Sequence, residues 1–224
     1  MSEFITGPLI YIATAVFILG MILRAAIYIN GLDQHLDRVA YTTHLSRGLG
    51  GAAYSIAAWM IPGFVRGWRA QPFMMLVFFC FHCGAVLLPL FLLGHSVMVE
   101  YIFGIRLPAL SQTAGDVLTV LALLGLAGLA WRRIYVPAVR VLTTGGDWFV
   151  LALTSLPFLT GALGRLTSSD AWLLAHVFSA EVFLIIAPFT KLSHIVLFFM
   201  SRAQIGMDFA IKRGGEHRGS AFPW

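Results

Sequence analysis

Charged residues are scarce in this sequence of 224 residues. They make up 11% of the chain, whereas hydrophobic residues make up 59%; a soluble domain usually carries about 25% charged residues. So few charges cannot cover a water-facing surface, which excludes an ordinary soluble protein. The net charge is +5, but the basic residues stand in short segments between apolar runs. There they set membrane topology rather than bind nucleic acid.

Cysteine is also sparse, and this excludes several metal and redox sites. Cys80 and Cys83 are the two cysteines, and both lie inside an apolar run, so a disulfide framework or a zinc site is not expected. The order of residues 80–83 also lacks the C-x-x-C-H pattern that attaches haem covalently. Any haem would be held non-covalently. The sequence shows no nucleotide motif and no cationic stretch typical of a cleaved signal peptide.

Apolar runs of membrane-spanning length are abundant. A helix needs about 20 residues to cross a bilayer, and the qualifying runs are 8–30, 72–103, 110–131, 148–166 and 171–200. We therefore predict an all-α integral membrane protein, a five-transmembrane-helix bundle that forms one domain over residues 1–224. The mixed segment 31–71 is expected to lie along the interface, and 201–224 to form a cytoplasmic tail.

The distribution of positive charge predicts the orientation. Arg106 and Arg165 lie on one side of the predicted spans. Eleven cations lie on the other side: Arg38, Arg47, Arg66, Arg69, Arg132, Arg133, Arg140, Arg202, Lys212, Arg213 and Arg218. The positive-inside rule then puts the N-terminus in the periplasm and the C-terminus in the cytoplasm, as in a multi-pass protein of the inner (cytoplasmic) membrane.

Four of the seven histidines lie inside predicted spans. His35, His44 and His217 fall in hydrophilic segments and are expected to be solvated. The others are His82 and His95 on span two and His176 and His194 on span five. A polar group at such depth is costly unless satisfied. One such histidine is explained by an interhelical hydrogen bond, but two pairs confined to two helices favour ligands.

The topology predicts how these histidines pair. Spans two and five run antiparallel, so His82 is level with His194 near the cytoplasm, and His95 with His176 near the periplasm. Neutral imidazole is a usual axial ligand of haem iron, and two of them make a six-coordinate electron-transfer centre. We therefore predict two haems b between spans two and five, with iron bound by these four histidines.

The spacing fits span five better than span two. Eighteen residues bring His176 and His194 to one face of a helix, whereas thirteen leave His82 and His95 about 140° apart. Pro89 is expected to kink span two between them. Gly84 and Gly94 flank the sites and would let a macrocycle lie close to the backbone.

Short strings around the histidines carry a family resemblance. They are Phe81-His82-Cys83-Gly84, Gly94-His95 and Pro188-Phe189-Thr190-Lys191-Leu192-Ser193-His194. In these, the chain resembles the gamma (cytochrome b) subunit of respiratory nitrate reductase. It more closely resembles the cytochrome b subunits of Hmc- and Tmc-type transmembrane redox complexes of sulfate-reducing microbes. The resemblance implies that His82 and His194 ligate an inner haem, and His95 and His176 an outer one.

The resemblance also implies partners. They are a cytoplasmic iron–sulfur subunit similar to heterodisulfide reductase, other membrane subunits and a periplasmic multihaem cytochrome c. Nitrate reduction is not implied, because the lysine that the nitrate reductase subunit uses for quinol falls here on Gln112, with Arg106 the nearest cation. The helix-two spacing is also longer than in that subunit.

The predicted function is that of an electron-transfer subunit in an oxidoreductase complex, without a complete active site of its own. One alternative is a quinol-oxidising subunit with a menaquinone pocket near the outer haem, at Gly94, His95, Arg106 and Gln112. Another is a non-redox scaffold or transporter whose histidines bind a metal or protons.

Arg24, Lys191 and Glu181 are further charged residues within the predicted spans. Snorkelling to the interface explains Arg24. Lys191 either snorkels too or pairs with a propionate of the inner haem. Glu181 is either a hydrogen-bonded structural carboxyl or a proton carrier for a quinol.

Overall fold

The computed structural model describes residues 2–32 and 45–212, and this part of the chain forms helices joined by short turns, with no strand. Five helical segments are long and apolar enough to cross a membrane: Ser2–Asn30, Pro72–Phe91, Gln112–Tyr135, Gly145–Thr167 and Asp170–Phe189. The prediction of an all-helical chain with five helices able to cross a membrane is confirmed for the described residues. His35, His44, His217 and the end of the predicted tail lie outside the described residues.

The described helices are numbered here in chain order. They are α1 (Ser2–Ile5), α2 (Pro8–Asn30), α3 (Leu45–Met60), α4 (Arg66–Ala70), α5 (Pro72–Phe91), α6 (Leu93–Phe103), α7 (Gln112–Tyr135), α8 (Pro137–Leu142), α9 (Gly145–Thr167), α10 (Asp170–Ile186) and α11 (His194–Lys212). Two 3₁₀ turns, Ala187–Phe189 and Lys191–Ser193, join α10 to α11.

Two of the predicted spans are interrupted. The run 72–103 divides at Leu92, whose ψ of 139° is extended, and not at Pro89, which lies inside α5. The run 171–200 leaves the α-helical conformation after Ile186, two residues before Pro188. Proline lacks the N–H that continues a helix and crowds the residues before it, which explains the second interruption.

The chain divides into two compact units, and unit 1 comprises Met1–Val16 and Leu76–Ile186. In it, α5 and α7 touch through small residues. A β-carbon on Gly84 would lie 2.7 Å from the Cβ of Ala122, and one on Gly125 would lie 2.7 Å from the backbone of Phe81. Ala122 is 0% exposed, whereas Leu124 is 62% exposed. Small residues inside and large apolar residues outside are typical of helices packed in lipid.

Unit 2 comprises Phe17–Met75 and Ala187–Trp224. Its centre is the crossing of α3 and α11, where a β-carbon on Gly206 would approach the backbone oxygen of Gly51 within 2.2 Å. Next to this crossing, Arg202 donates two hydrogen bonds to the fully buried Ser55, at 3.1 and 2.7 Å, and lies 4.9 Å from the ring centroid of Trp59. Part of the predicted interfacial segment is therefore a helix that pairs with α11.

Helix α11 and the turns before it change two of the sequence-based expectations. Residues 201–212 of the predicted cytoplasmic tail are helical and belong to α11. Arg24 does more than extend towards the interface, because its Nε donates to the backbone oxygen of Pro188 at 2.7 Å. Tyr28, one turn further along α2, donates to Gln204 of α11. Both contacts bind α2 to the segment that carries Lys191 and His194.

The close crossing in unit 2 predicts opposite effects for two adjacent glycines. Gly51→Ala would place its β-carbon 2.4 Å from the backbone oxygen of Gly206, whereas Gly50 has nothing within 4 Å. We expect Gly51→Ala to destabilise the protein by about 1–3 kcal/mol through overpacking. Gly50→Ala is expected to stabilise α3 by up to about 1 kcal/mol through helix propensity. Thermal unfolding of the two variants in the same detergent checks this, and equal melting temperatures would contradict the crossing.

Candidate functional site

Unit 1 brings two of the four predicted ligands together. His95 of α6 and His176 of α10 point their Nε2 atoms at each other, 3.4 Å apart. Their rings are inclined by 27°, with centroids 5.7 Å apart. Both side chains are half-buried. The sequence predicted these two histidines at one level of the membrane, and the structure places their Nε2 atoms face to face.

The other ring nitrogen of each histidine is held by the main chain. His95 Nδ1 donates to the backbone oxygen of Leu88 at 2.7 Å, and His176 Nδ1 donates to that of Pro157 at 2.8 Å. Because a carbonyl oxygen only accepts, Nδ1 carries the hydrogen in both rings. In a neutral imidazole, Nε2 then presents a lone pair. Two neutral rings therefore direct lone pairs at each other.

Two facing lone pairs would be satisfied by an electron-pair acceptor, either a proton or a metal ion. A direct hydrogen bond would require one imidazole to be cationic, and a cation within a membrane span is costly. A metal ion between the two Nε2 atoms satisfies both lone pairs without a second proton. Main-chain carbonyls that fix Nδ1 are the usual outer partners of metal-ligating histidines, because they set the tautomer and the ring orientation.

The breaks and small residues of the spans build this pair. His95 reaches the carbonyl of a residue seven positions earlier because the chain is extended at Leu92, between α5 and α6. His176 lies against Gly161 of α9, where an added β-carbon would lie 3.0 Å from its Nδ1. A side chain at residue 161 would therefore displace the imidazole from its carbonyl partner.

The remaining two histidines show the same main-chain contact. His82 Nδ1 lies 2.8 Å from the backbone oxygen of Phe78, and the His82 ring stacks on the Phe78 ring with centroids 3.8 Å apart. His194 Nδ1 lies 2.9 Å from the backbone oxygen of Lys191. His82 belongs to unit 1 and the exposed His194 to unit 2. Their pairing stays a prediction.

The structure separates the two glycines that were predicted to flank a macrocycle. Gly84 is buried where α5 touches α7, so helix packing accounts for its missing side chain. Gly94 has nothing within 4 Å of its β-carbon position, which leaves open space beside His95. Helix packing therefore does not account for Gly94, and its contact with a macrocycle stays a prediction.

The residues of the predicted quinone site are only partly brought together. A cavity of about 340 Å³ is lined by Leu93, Ser96, Val97, Glu100, Arg106, Leu107, Pro108 and Ala109. Arg106 thus lines the cavity, and its Nε lies 3.8 Å from Glu100. Gln112 does not line it and donates instead to Asp116 at 3.1 Å. Gly94 and His95 stand in sequence between the lining residues Leu93 and Ser96.

Sequence reasoning missed the groups that orient the ligands. The two carbonyls that hold the Nδ1 atoms of His95 and His176, and the contact of Gly161, have no signature of their own in the sequence. Pro157 and Gly161 inside a span were the available signals, since proline and glycine within a helix often mark a local packing requirement. In the described part of the chain, no group of three or more histidine, cysteine or acidic residues is placed to hold a metal ion.

Comparison with known proteins identifies a relative. No protein-family model matches the chain. A protein of Nitratidesulfovibrio vulgaris strain Hildenborough is 57% identical to it over 226 aligned residues, which cover 100% of both chains. The name of that relative, "Protein", describes no activity.

Proposed function

We propose that the family to which this chain and the Nitratidesulfovibrio vulgaris protein belong is one of di-haem cytochrome b subunits. In this proposal the chain is part of a respiratory complex of the cytoplasmic membrane. It passes electrons between a periplasmic or quinol donor and a cytoplasmic iron–sulfur partner. The bound haem supplies a reversible one-electron carrier, and the residues of the chain bind it, orient it and insulate it from water.

The facing Nε2 atoms of His95 and His176 are the observation that carries this proposal. They lie 3.4 Å apart, and each ring is oriented by a main-chain carbonyl. Two bonds of about 2 Å from imidazole nitrogen to a metal span about 4 Å. A widening of less than about 1 Å between the rings would therefore admit an axially ligated metal.

The number of ligands favours haem over an isolated metal ion. Two histidines leave most of the coordination sphere of iron, zinc or copper unfilled, and the described residues place no third ligand beside them. A porphyrin supplies the remaining in-plane ligands. His95 and His176 would hold such a haem from both sides, and the haem would then supply electron transfer rather than oxygen or substrate chemistry.

The inner centre of the proposal uses His82 and His194. Each has its Nδ1 beside a main-chain carbonyl, as His95 and His176 do. Lys191 lies three residues before His194, and its carbonyl is the one that holds His194 Nδ1. In this proposal Lys191 orients a ligand through its backbone, and its side chain pairs with a haem propionate.

The orientation belongs to the proposal as well. Arg132 and Arg133 lie in the last turn of α7, Arg140 lies in α8, and Arg66 and Arg69 lie in α4. These basic segments support a cytoplasmic location for α4, α8 and the last turn of α7. The heterodisulfide-reductase-like partner would then dock at these basic segments. The other membrane subunits and a multihaem cytochrome c would bind other surfaces of the chain.

A visible spectrum of the purified full-length chain tests this function. We expect a low-spin haem spectrum whose bands sharpen on reduction and are unaffected by carbon monoxide, because both axial positions are filled. A colourless protein would contradict the proposal and favour the alternative of a scaffold or transporter whose histidines bind a metal or protons.

The cavity at the periplasmic end supports a second candidate, a quinol-oxidising subunit that binds menaquinone. Its lining combines apolar side chains with Ser96, Glu100 and Arg106, and a few polar groups in an apolar pocket are typical of ligand sites. A soluble menaquinol analogue would reduce the purified subunit directly under this candidate. Under the first candidate, reduction by the analogue would require a partner subunit.

A further inference from the structure

The largest fully buried side chain in the described part of the molecule is that of a glutamate. Glu181 lies in α10 and is 1% exposed. Neither of its carboxyl oxygens has a hydrogen-bond partner among the described residues. The prediction that Glu181 is a hydrogen-bonded structural carboxyl is therefore wrong as far as the described residues are concerned. An ionised carboxylate in such surroundings is strongly disfavoured unless another charge offsets its burial.

In unit 1, the charged groups on the helices that contact α10 are exposed or have partners other than Glu181. These helices include α9, α1 and α6, whose His95 faces His176. The titratable and charged residues of these helices and of α10 are Glu3, His95, Glu100, Tyr101, Asp147, Arg165, Asp170, His176 and Glu181. Glu100 is exposed and lies 3.8 Å from Arg106. Asp147 caps α9 through Thr144 and lies 3.8 Å from Arg133, while Arg165 pairs with Asp116 at 3.3 Å. Glu3 and Asp170 are exposed.

We propose that Glu181 is a proton-binding site coupled to the redox state of the cofactor that His95 and His176 hold. The inference rests on the proposed function. His176 and Glu181 stand five residues apart on the continuous helix α10, an axial rise of about 7.5 Å. A buried carboxyl so close to a redox centre senses its charge, because little solvent lies near to screen it.

The coupled step conserves both charge and atoms. While the centre is oxidised, its positive charge would offset the burial of the Glu181 carboxylate. When a one-electron donor such as a cytochrome c reduces the centre, the carboxylate would form one O–H bond with a proton taken up from water. When the electron leaves for the iron–sulfur partner, that O–H bond breaks and the proton returns to water. The net charge of the buried region is then the same before and after reduction.

The size of the coupling follows from the separation. A unit charge about 10 Å away, in a medium with an effective dielectric constant of about 20, changes a proton-binding constant on the order of tenfold. For a one-electron couple, a tenfold change corresponds to about 59 mV in midpoint potential. Because reduction is accompanied by proton uptake, the potential falls as the pH rises.

Redox titration of Glu181→Gln over a range of pH tests the site. The outer haem is identified as the one that is missing in His95→Ala. In the wild-type protein, the midpoint potential of this haem is expected to fall by about 59 mV as the pH rises from the range where Glu181 is protonated to the range where it is ionised. In Glu181→Gln the potential is expected not to change with pH. Glu181→Asp keeps a carboxyl and is expected to keep the dependence. Asp170→Asn removes an exposed carboxyl from the same helix and is also expected to keep it.

Infrared redox difference spectra of the wild-type protein give a second readout. A carboxyl carbonyl band should appear on reduction, and it should be absent in Glu181→Gln.

If two haems are bound but the outer potential does not depend on pH, or Glu181→Gln keeps the wild-type dependence, the proton site is overturned while the haem proposal stands. If Glu181→Gln fails to bind haem, the wild-type infrared spectrum decides, and a spectrum without the carboxyl band overturns the site. A wild-type protein without haem overturns the proposed function and the proton site together.

Discussion

Replacing either His95 or His176 with alanine is expected to remove the same one of two haems, so that each variant keeps half of the wild-type haem content. The physical reason is their shared position: the two Nε2 atoms lie 3.4 Å apart, so one iron can be bound by both. Under the proposed function, removing either histidine would leave the iron with one ligand too few and the remaining imidazole with an unsatisfied lone pair. Haem content per chain and the reduced-minus-oxidised spectrum of each variant measure the effect.

A matched control for these variants is available on α9. Thr154 is buried, and its hydroxyl donates to the backbone oxygen of Val150 at 2.8 Å. Thr154→Ala therefore also truncates a buried polar side chain in unit 1, and it is expected to keep both haems. If His95→Ala and His176→Ala lost haems with different spectra, or both kept the full content, the two histidines would not share a cofactor.

The second large effect concerns the other two histidines. His82→Ala and His194→Ala are each expected to lose the inner haem and to retain the outer one. Both side chains have Nδ1 beside a main-chain carbonyl, and the antiparallel direction of the predicted spans two and five puts them at one level. Each variant should therefore show the spectrum that is missing from His95→Ala. Spectra and haem content measure this in the same way.

Combining two substitutions sharpens the test of the inner pair. If His82 and His194 bind one haem, the double variant His82→Ala/His194→Ala should contain as much haem as either single variant. If they bind different haems, the double variant should lose more than either. That second result would refute the inner pairing and the antiparallel level-matching on which it depends.

The membrane-spanning character of the chain was predictable because it depends on composition along the chain. Runs of apolar residues of about 20 positions are visible without knowledge of packing, and all five candidate spans overlap the predicted runs. The interruptions were harder to predict. Pro188 marks the end of α10 as proline usually does, whereas Pro89 remains inside α5 and the break comes at Leu92.

The packing of unit 2 was not predictable from hydropathy. Helix α3 reads as a weakly apolar segment, and its association with α11 depends on the close approach of Gly51 and Gly206 and on the contact between Ser55 and Arg202. Such contacts depend on three-dimensional shape rather than on the period of apolar residues. Gly84 shows the same dependence on three-dimensional shape. Its sequence position near His82 suggested a cofactor contact, but in the structure Gly84 packs against α7.

The candidate site was predictable in its residue types but not in its geometry. Histidine within a span is costly and therefore conspicuous, which identified His95 and His176. Ring orientation depends on the Leu88 and Pro157 carbonyls, which come from the main chain and so leave no signal in residue identity. The isolation of Glu181 likewise depends on what surrounds it, which the sequence does not specify.

The number of haems bound per chain tests the account most directly. Haem extracted from the purified full-length protein, quantified as its pyridine complex and divided by the protein concentration, should give two per chain and should be entirely of the b type, because no haem-attaching cysteine motif is present. A value of zero would contradict the account at its centre, and a value of one would remove one of the two histidine pairs.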